Sequence, residues 1–239
     1  MIPADRLRYV ARTHVGRVRK VNEDSVIALP DQGIWAVSDG MGGHEGGDYA
    51  SQTVTGELAT IPLGLTPQET VDALRAAIAR AHDMVRAEAV QRAATIGATV
   101  AALVLTEGHF AAFWAGDSRI YRLRDHMLEM LTTDHSFVAT LVEAGRISWD
   151  EAEAHPRSNE ILRAVGVGEE LELDKVRGDL RSGDRFLLCS DGLTKYARAA
   201  DLHRLADGLR IDDLADRLLE GALESGGADN ISIIVVDVL

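Results

Sequence analysis

Short apolar segments and longer amphipathic segments alternate along the chain, a pattern typical of a protein that mixes strands with helices. Runs of alternating or consecutive apolar residues predict strands at residues 7–14, 26–29, 35–39, 99–105, 109–115, 120–123, 171–176, 185–190 and 231–238. Apolar residues at helical spacing predict helices that cover a sheet, at about residues 47–60, 67–92, 200–207 and 211–225. His82 falls among arginines in the second of these helices, so we expect it at the surface.

Turn residues connect the strands in the middle of the chain. Glu107 and Gly108 form one tight turn, and the run Gly116-Asp117-Ser118-Arg119 forms the next. Turns of this length join neighbouring strands that run in opposite directions. We therefore expect an antiparallel meander.

The segment at residues 132–168 is polar and irregularly helical. The run Asp134-His135-Ser136 is suited to cap a helix, and Ser148 with Glu151 has the pattern of a capping box. We interpret His135 and His155 as capping and packing residues. A helical excursion inserted between strands is typical of a flap over a site.

Four aspartates each border a predicted strand beside small residues: Asp39, Asp117, Asp191 and Asp229. If the strand ends meet, these carboxylates repel one another unless cations neutralise them. Histidines and cysteines at ligand spacing are absent from the sequence, so the ligands of such a site would all be oxygen atoms. Mg²⁺ or Mn²⁺ suits that set of ligands, and zinc does not.

The glycine-rich stretch after Asp39 has other interpretations. A dinucleotide-binding turn that starts at Gly40 needs a glycine where Glu45 stands, and no phosphate-loop lysine follows. Taken alone, Asp39 could simply cap the next helix. Glu23 and Asp24 precede the second strand as neighbours, so on an extended chain their side chains point in opposite directions.

Composition limits the partners of the chain. Its 239 residues carry a formal net charge of −13, which argues against nucleic acid or an anionic membrane as a partner. Its apolar runs are shorter than the ~18 residues that span a bilayer. The N-terminus has no apolar signal core, and the single cysteine, Cys189, lies in an apolar run that predicts a buried thiol. We therefore expect a soluble, cytoplasmic protein.

Taken together, the motifs resemble the bacterial metal-dependent type 2C (PPM) serine/threonine protein phosphatases. The matching residues are Arg19, Asn22-Glu23-Asp24, Ser38-Asp39-Gly40-Met41-Gly42-Gly43-His44, Gly116-Asp117-Ser118-Arg119, Asp134-His135-Ser136, Ser190-Asp191-Gly192-Leu193 and Asp229-Asn230-Ile231-Ser232. They follow the family's order over nearly the whole chain. The resemblance implies an α+β fold, an α-β-β-α sandwich of two antiparallel sheets flanked by helices. It also implies one catalytic domain over residues 1–239, with a flap at about residues 135–166.

The resemblance assigns metal ligands to the carboxylates. Asp39 would bridge two ions, Mn²⁺ or Mg²⁺, with Asp191 and Asp229 on the first. Glu23 and the Gly40 carbonyl would bind the second. Asp117, together with Asp191, matches the position of a weaker third metal.

The resemblance also assigns catalytic roles. Arg19 would bind the substrate phosphate, and Asp24 would orient metal-bound water. Met41 stands where eukaryotic members carry a histidine, so the acid for the leaving group is either His44 or metal-bound water. Ala98 and Ser158 also depart from common family residues, which affects flap contacts and substrate choice.

The implied activity is the removal of phosphate from phosphoserine and phosphothreonine in proteins. A metal-bridging hydroxide would attack phosphorus in line, without a phosphoenzyme. Phosphorylated proteins are the expected partners, together with a eukaryotic-like serine/threonine kinase that the phosphatase opposes, and we expect a monomer. The alternatives are a catalytically silent binder of phosphoproteins and a hydrolase of small phosphate esters.

Overall fold

The computed structural model describes residues 6–42, 46–148, 151–152 and 155–239. The strands in these ranges are β1 (Leu7–His14), β2 (Asp24–Leu29), β3 (Ile34–Met41), β4 (Gly97–Ala98), β5 (Val100–Thr106), β6 (His109–Ala115), β7 (Arg119–Arg124), β8 (Met127–Met130), β9 (Asp174–Asp179), β10 (Arg185–Cys189) and β11 (Ile231–Val238). The helices are α1 (Gly47–Ala59), α2 (Pro67–Arg92), α3 (Phe137–Glu143), α4 (Asp191–Thr194), α5 (Ala199–Gly208) and α6 (Ile211–Glu224).

The strands form two antiparallel sheets. One sheet has the order β1-β11-β10-β7-β8, and the other has the order β2-β3-β5-β6-β9, with β4 paired to β3. Consecutive strands form hairpins in both sheets, as in the pairing of β5 with β6 from Val100↔Ala115 to Thr106↔His109. The predicted antiparallel meander is therefore only partly correct. β5 pairs with β6, but the turn after β6 carries the chain into the other sheet, where β7 pairs with β10 and β8 instead of β6.

Three apolar layers hold the sheets and helices together. The layer between the sheets contains Trp35 and Leu103 from one sheet and Phe186 and Ile234 from the other. A second layer lies between the β2-to-β9 sheet and helices α1 and α2, and a third lies between the β1-to-β8 sheet and helices α5 and α6. This arrangement confirms the α+β prediction of an α-β-β-α sandwich.

Local sequence signals explain the bounds of the longest helix. Thr66 caps α2 in a full capping box with Glu69, and Pro67 occupies the first turn, where its missing N–H costs nothing. The helix ends at Ala93, which adopts a left-handed conformation with φ of 50°. In the described part of the chain, no helix has the length and apolarity needed to cross a membrane.

Three further expectations from the sequence differ from the structure. His82 is buried rather than exposed, because it lies on the buried face of α2 with Ile78 and Val85, and its Nδ1 accepts a hydrogen bond from the Gly166 N–H at 3.0 Å. The strand predicted at residues 171–176 is β9, which begins three residues later, where its pairing with β6 starts. Strand β8 was not predicted, because it is only four residues long and its positions alternate between exposed and half-buried.

Candidate metal centre and active site

The candidate site lies where strand ends from both sheets meet. Asp24 and Asp39 face each other across the β2–β3 pair. Asp117 follows β6, Asp191 follows β10, and Asp229 precedes β11. The fold therefore gathers, at one end of the sandwich, carboxylates that lie up to two hundred residues apart in the sequence.

A cleft of about 550 Å³ opens at this end of the sandwich. Its lining includes every residue to which the resemblance assigns a metal: Glu23, Asp39, Gly40, Asp117, Asp191 and Asp229. Arg19 also lines the cleft, whereas Asp24 is buried behind it. His44 lies outside the described residues.

Backbone hydrogen bonds fix the position of Asp39. Its N–H donates to Thr99 Oγ1 at 2.9 Å, and its carbonyl accepts from the Thr99 N–H at 2.8 Å. The Thr99 hydroxyl also contacts the Ser118 hydroxyl at 2.7 Å, next to Asp117. Thr99 therefore links the Asp39 strand to the Asp117 turn.

Gly40 lies where the chain has no room for a side chain. A Cβ at this position would overlap the carbonyl oxygen of Gly47 and crowd that of Glu23. The Gly40 N–H donates to the Glu23 carbonyl at 3.1 Å. The glycine therefore lets β3, the Glu23 loop and the start of α1 approach one another closely.

Asn230 organises the loop that carries Arg19 and Glu23, a role that the sequence analysis did not assign. Its Oδ1 accepts from the Glu23 N–H at 2.8 Å. Its Nδ2 donates to the Val15 and Val21 carbonyls, each at 2.9 Å. These contacts join residues more than two hundred positions apart, and only the adjacency of Asn230 to Asp229 in a family motif hints at them.

Burial and mutual repulsion disfavour the charged form of the carboxylates. Burial raises the pKa of Asp24 to about 7, against hydrogen bonds from Ser232 and Ser190, and Asp191 and Asp229 add repulsion. Burial also raises the pKa of Asp117 to about 8, with repulsion from Asp191 and Asp134. The pKa of Asp39 rises for the same reasons, chiefly burial and then repulsion from Asp24.

Several carboxylate oxygens at the site have no hydrogen-bond donor. Among the described residues, Asp24 Oδ1, Asp117 Oδ1 and Asp191 Oδ1 are buried and have no hydrogen-bond partner. Such oxygens are costly unless a cation or proton satisfies them. Carboxylate oxygens are the ligands that hard divalent cations prefer, so these residues fit Mg²⁺ or Mn²⁺.

Two side-chain cations partly neutralise the cluster. Lys195 Nζ lies 2.7 Å from Asp191 Oδ2 and 3.1 Å from Asp229 Oδ2. Arg19 Nη2 lies 2.9 Å from Asp229 Oδ1, and Arg19 Nη1 lies 3.9 Å from Glu23 Oε2. In the described ranges, no three histidine, cysteine, aspartate or glutamate side chains are already arranged closely enough to hold an ion. Lys195 and Arg19 therefore contact carboxylate oxygens that divalent metal ions would also contact.

The predicted flap segment borders a second chamber of the cleft, about 400 Å³ in volume. Ser136, Val138, Ser158 and Asn159 line this chamber. It shares six residues with the first: Arg19, Asp117, Asn159, Asp191, Lys195 and Asp229. The base of the segment is closed by a hydrogen bond from the Leu162 N–H to the His135 carbonyl at 2.7 Å.

Residues at the start of this segment pack and cap as the sequence predicted. Ser136 caps α3 by accepting from the Ala139 N–H at 3.2 Å. The His135 ring stacks on Trp114, and its Nδ1 accepts from the Gly116 N–H at 3.2 Å. His135 therefore supports the turn that carries Asp117.

The fold is an α-β-β-α sandwich, and the cleft at one end of it is lined by carboxylates. The family model for protein phosphatase 2C matches residues 14–230. The serine/threonine protein phosphatase PstP of Mycobacterium tuberculosis is 38% identical over 235 residues, which cover 98% of this chain and 45% of that protein. The chain therefore belongs to the protein phosphatase 2C family, as its motifs indicate, and spans less than half the length of the mycobacterial relative.

Solved structures agree with this assignment. PppA, described as a key regulatory component of T6SS in Pseudomonas aeruginosa, is 39% identical with a TM-score of 0.90, and the match covers 98% of each chain. The catalytic domain of PstP in complex with 2 manganese ions is 37% identical with a TM-score of 0.84, again over 98% of each chain.

Proposed function

We propose that this chain is a divalent-metal-dependent protein phosphatase that hydrolyses phosphoserine and phosphothreonine. The observation that carries the proposal is the convergence of all six expected metal-binding groups on one cleft, with Arg19 beside them. Relatives named serine/threonine protein phosphatases and the manganese complex of one relative support it.

In this proposal, the carboxylates divide between two principal ions, Mn²⁺ or Mg²⁺. Asp39 would serve both ions, Asp191 and Asp229 would hold the first, and Glu23 and the Gly40 carbonyl would hold the second. Asp117 would join Asp191 in holding a weaker third ion. The lone oxygens of Asp117 and Asp191 support this division.

Bound divalent ions supply Lewis acidity, which lowers the pKa of water and neutralises phosphate charge. The guanidinium of Arg19 is suited to bidentate contact with the phosphoryl oxygens. Asp24, held by the Ser190 hydroxyl at 2.7 Å, orients water from behind the cleft. Phosphorus is attacked in line by hydroxide derived from water, and no phosphoenzyme forms. Either His44 or a water molecule protonates the leaving group.

The same proposal includes the organisation and partners of the chain. Residues 1–239 act as one catalytic domain, and residues 135–166 act as a flap that contacts the substrate beside Ser158 and Asn159. Its substrates are phosphorylated proteins, including a eukaryotic-like serine/threonine kinase that it opposes. The net charge of −13 disfavours nucleic acid and anionic membranes as partners, and we propose a cytoplasmic monomer.

One assay tests this function. The purified chain is incubated with an aryl phosphate and with a phosphothreonine peptide, in Mn²⁺, in Mg²⁺ and in chelator. We expect metal-dependent phosphate release from both substrates. Asp39→Asn should lower kcat/KM at least about 1,000-fold, beyond the 10–100-fold typical of a residue that only supports a metal ligand.

Asp31→Asn is the matched control, since Asp31 is exposed at the turn that joins β2 to β3, at the opposite end of the same hairpin. It should leave turnover unchanged. Release from small esters alone would favour the ester hydrolase, and binding without release in any metal would favour the silent binder. Near-normal activity of Asp39→Asn would refute the site assignment.

A further inference from the structure

Lys195 holds a position that the family motifs do not explain. It lies one helical turn after Asp191, because α4 carries the chain from Asp191 to Thr194 and residues at i and i+4 share a face. Its ammonium reaches back to Asp191 at 2.7 Å and across to Asp229 at 3.1 Å. It therefore bridges two carboxylates that come from opposite sides of the β10–β11 connection.

The bridge lies in a half-buried environment. The side chain of Lys195 is 34% exposed, and those of Asp191 and Asp229 are 18% and 19% exposed. Ion pairs to both carboxylates place the ammonium at the point where the two carboxylates meet.

We propose that Lys195 is a tethered counter-cation: it holds Asp191 and Asp229 together before a metal ion binds, and the ion enters in exchange for its ammonium. The inference rests on the proposed function, which places the first metal ion between these two carboxylates. A single lysine gives the pair one charge of the two that a divalent ion would supply. Repulsion between Asp191 and Asp229 therefore remains in part, and it favours binding of the divalent ion.

The exchange of the Lys195 ammonium for a metal ion costs free energy. Metal binding must break two ion pairs at 2.7 and 3.1 Å and then tolerate a positive charge nearby. The second chamber of the cleft is also lined by Lys195 and offers room for the displaced side chain. Lys195 thus weakens metal affinity while stabilising the metal-free protein.

Arg19 does not have the same role. The Arg19 guanidinium contacts Asp229 at 2.9 Å, but its other acidic neighbour, Glu23, is 3.9 Å away. The side chain of Arg19 is 48% exposed. Arg19 therefore bridges two carboxylates less tightly than Lys195 does. It extends into the cleft from a loop, and its side chain can rotate there to contact a phosphate. The exchange proposal therefore concerns Lys195 alone.

The test compares Mn²⁺ affinity and metal-free stability in Lys195→Met. Mn²⁺ binding is followed by the paramagnetic resonance signal of free Mn²⁺, and stability by the urea midpoint in chelator. We expect Lys195→Met to bind Mn²⁺ about tenfold more tightly, the size of effect that a half-buried ion pair can produce. We also expect its metal-free urea midpoint to fall.

Two further variants make the comparison specific. Arg198→Met removes one positive charge three residues away, from a side chain that pairs with neither carboxylate, and should change neither quantity. Lys195→Arg keeps the charge and should bind Mn²⁺ within about twofold of the wild type, because the cation that competes with the ion is retained.

Unchanged or weaker Mn²⁺ binding by Lys195→Met would overturn the exchange proposal and leave the proposed function intact. An equal gain in Mn²⁺ affinity for Arg198→Met would overturn the proposal as well. The gain would then come from the net charge of the protein and not from the ion pairs of Lys195. If the wild type bound no Mn²⁺ at all, both this proposal and the proposed function would fail.

Discussion

At the scale of the residue, Asp117 links protonation to folding. Burial, followed by repulsion from Asp191 and Asp134, raises the pKa of Asp117 to about 8, whereas an unfolded aspartate titrates near pH 4. Between these values the folded metal-free protein binds more protons than the unfolded chain. Its free energy of unfolding therefore falls as the pH rises through this window.

Asp117→Asn should remove this dependence, because the amide mimics the protonated acid. In chelator at pH 8.5, we expect the variant to exceed the wild type in free energy of unfolding by more than about 1.4 kcal/mol, the value of one pKa unit. At pH 4.5 the two proteins should differ little. Urea titrations at both pH values measure the difference.

Asp31→Asn, at an exposed turn, controls for the loss of one negative charge and should behave like the wild type at both pH values. A difference of equal size at pH 4.5 and 8.5 would show that Asp117→Asn acts through packing. The burial of the Asp117 carboxylate and its repulsion by other carboxylates would then not be the cause of the difference in stability.

Individual side chains also show which features of the site could be predicted from the sequence. The opposite directions of Glu23 and Asp24 were predictable from strand alternation: Glu23 lines the cleft, and Asp24 is buried behind it. The roles of Lys195 and Asn230 were not predictable. Lys195 depends on Asp229 across the β10–β11 connection, and Asn230 depends on Glu23 in the loop between β1 and β2.

At the scale of the element, Gly192 in α4 controls how closely that helix approaches β11. A Cβ on Gly192 would overlap the Asn230 carbonyl oxygen. Helix propensity alone favours alanine over glycine by about 1 kcal/mol. Overlap with a backbone atom should outweigh this gain, because the main chain cannot move away as a flexible side chain can.

We therefore expect Gly192→Ala to lower the free energy of unfolding by about 1–3 kcal/mol, the usual cost of overpacking, and to weaken Mn²⁺ binding through the displaced Asp191. Gly56→Ala is the matched control, since Gly56 lies inside α1 with open space around it. It should raise stability by about 0.5–1 kcal/mol. Thermal and urea unfolding of both variants provide the measurement, and a stabilised Gly192→Ala would contradict the close approach.

Two errors in the predicted elements, the start of β9 and the exposure of His82, come from contacts between residues far apart in the sequence. The start of β9 depends on its register with β6, where Trp114 pairs with Asp174. Its own residues alternate between half-buried and exposed, so their apolar signal is weak. His82 looked exposed because its sequence neighbours are charged, yet its partner Gly166 lies 84 positions away.

At the scale of the whole molecule, the sandwich converts separate sequence motifs into one site. Each motif that carries a proposed metal ligand lies at the start or end of a strand, and the fold brings those strand ends together at one cleft. The order and content of the motifs were enough to predict the family and the layered architecture. The positions of the carboxylates relative to one another were not, because they depend on how two sheets pack across a shared apolar layer.

The account rests on these carboxylates binding divalent ions side by side. Crystals of the wild type grown with Mn²⁺, with diffraction data collected at the manganese absorption edge, test this most directly. We predict two strong anomalous peaks in the cleft, each within about 2.5 Å of a carboxylate oxygen of Asp39. A cleft without anomalous peaks at saturating Mn²⁺, or peaks that Asp39 does not contact, would contradict the account.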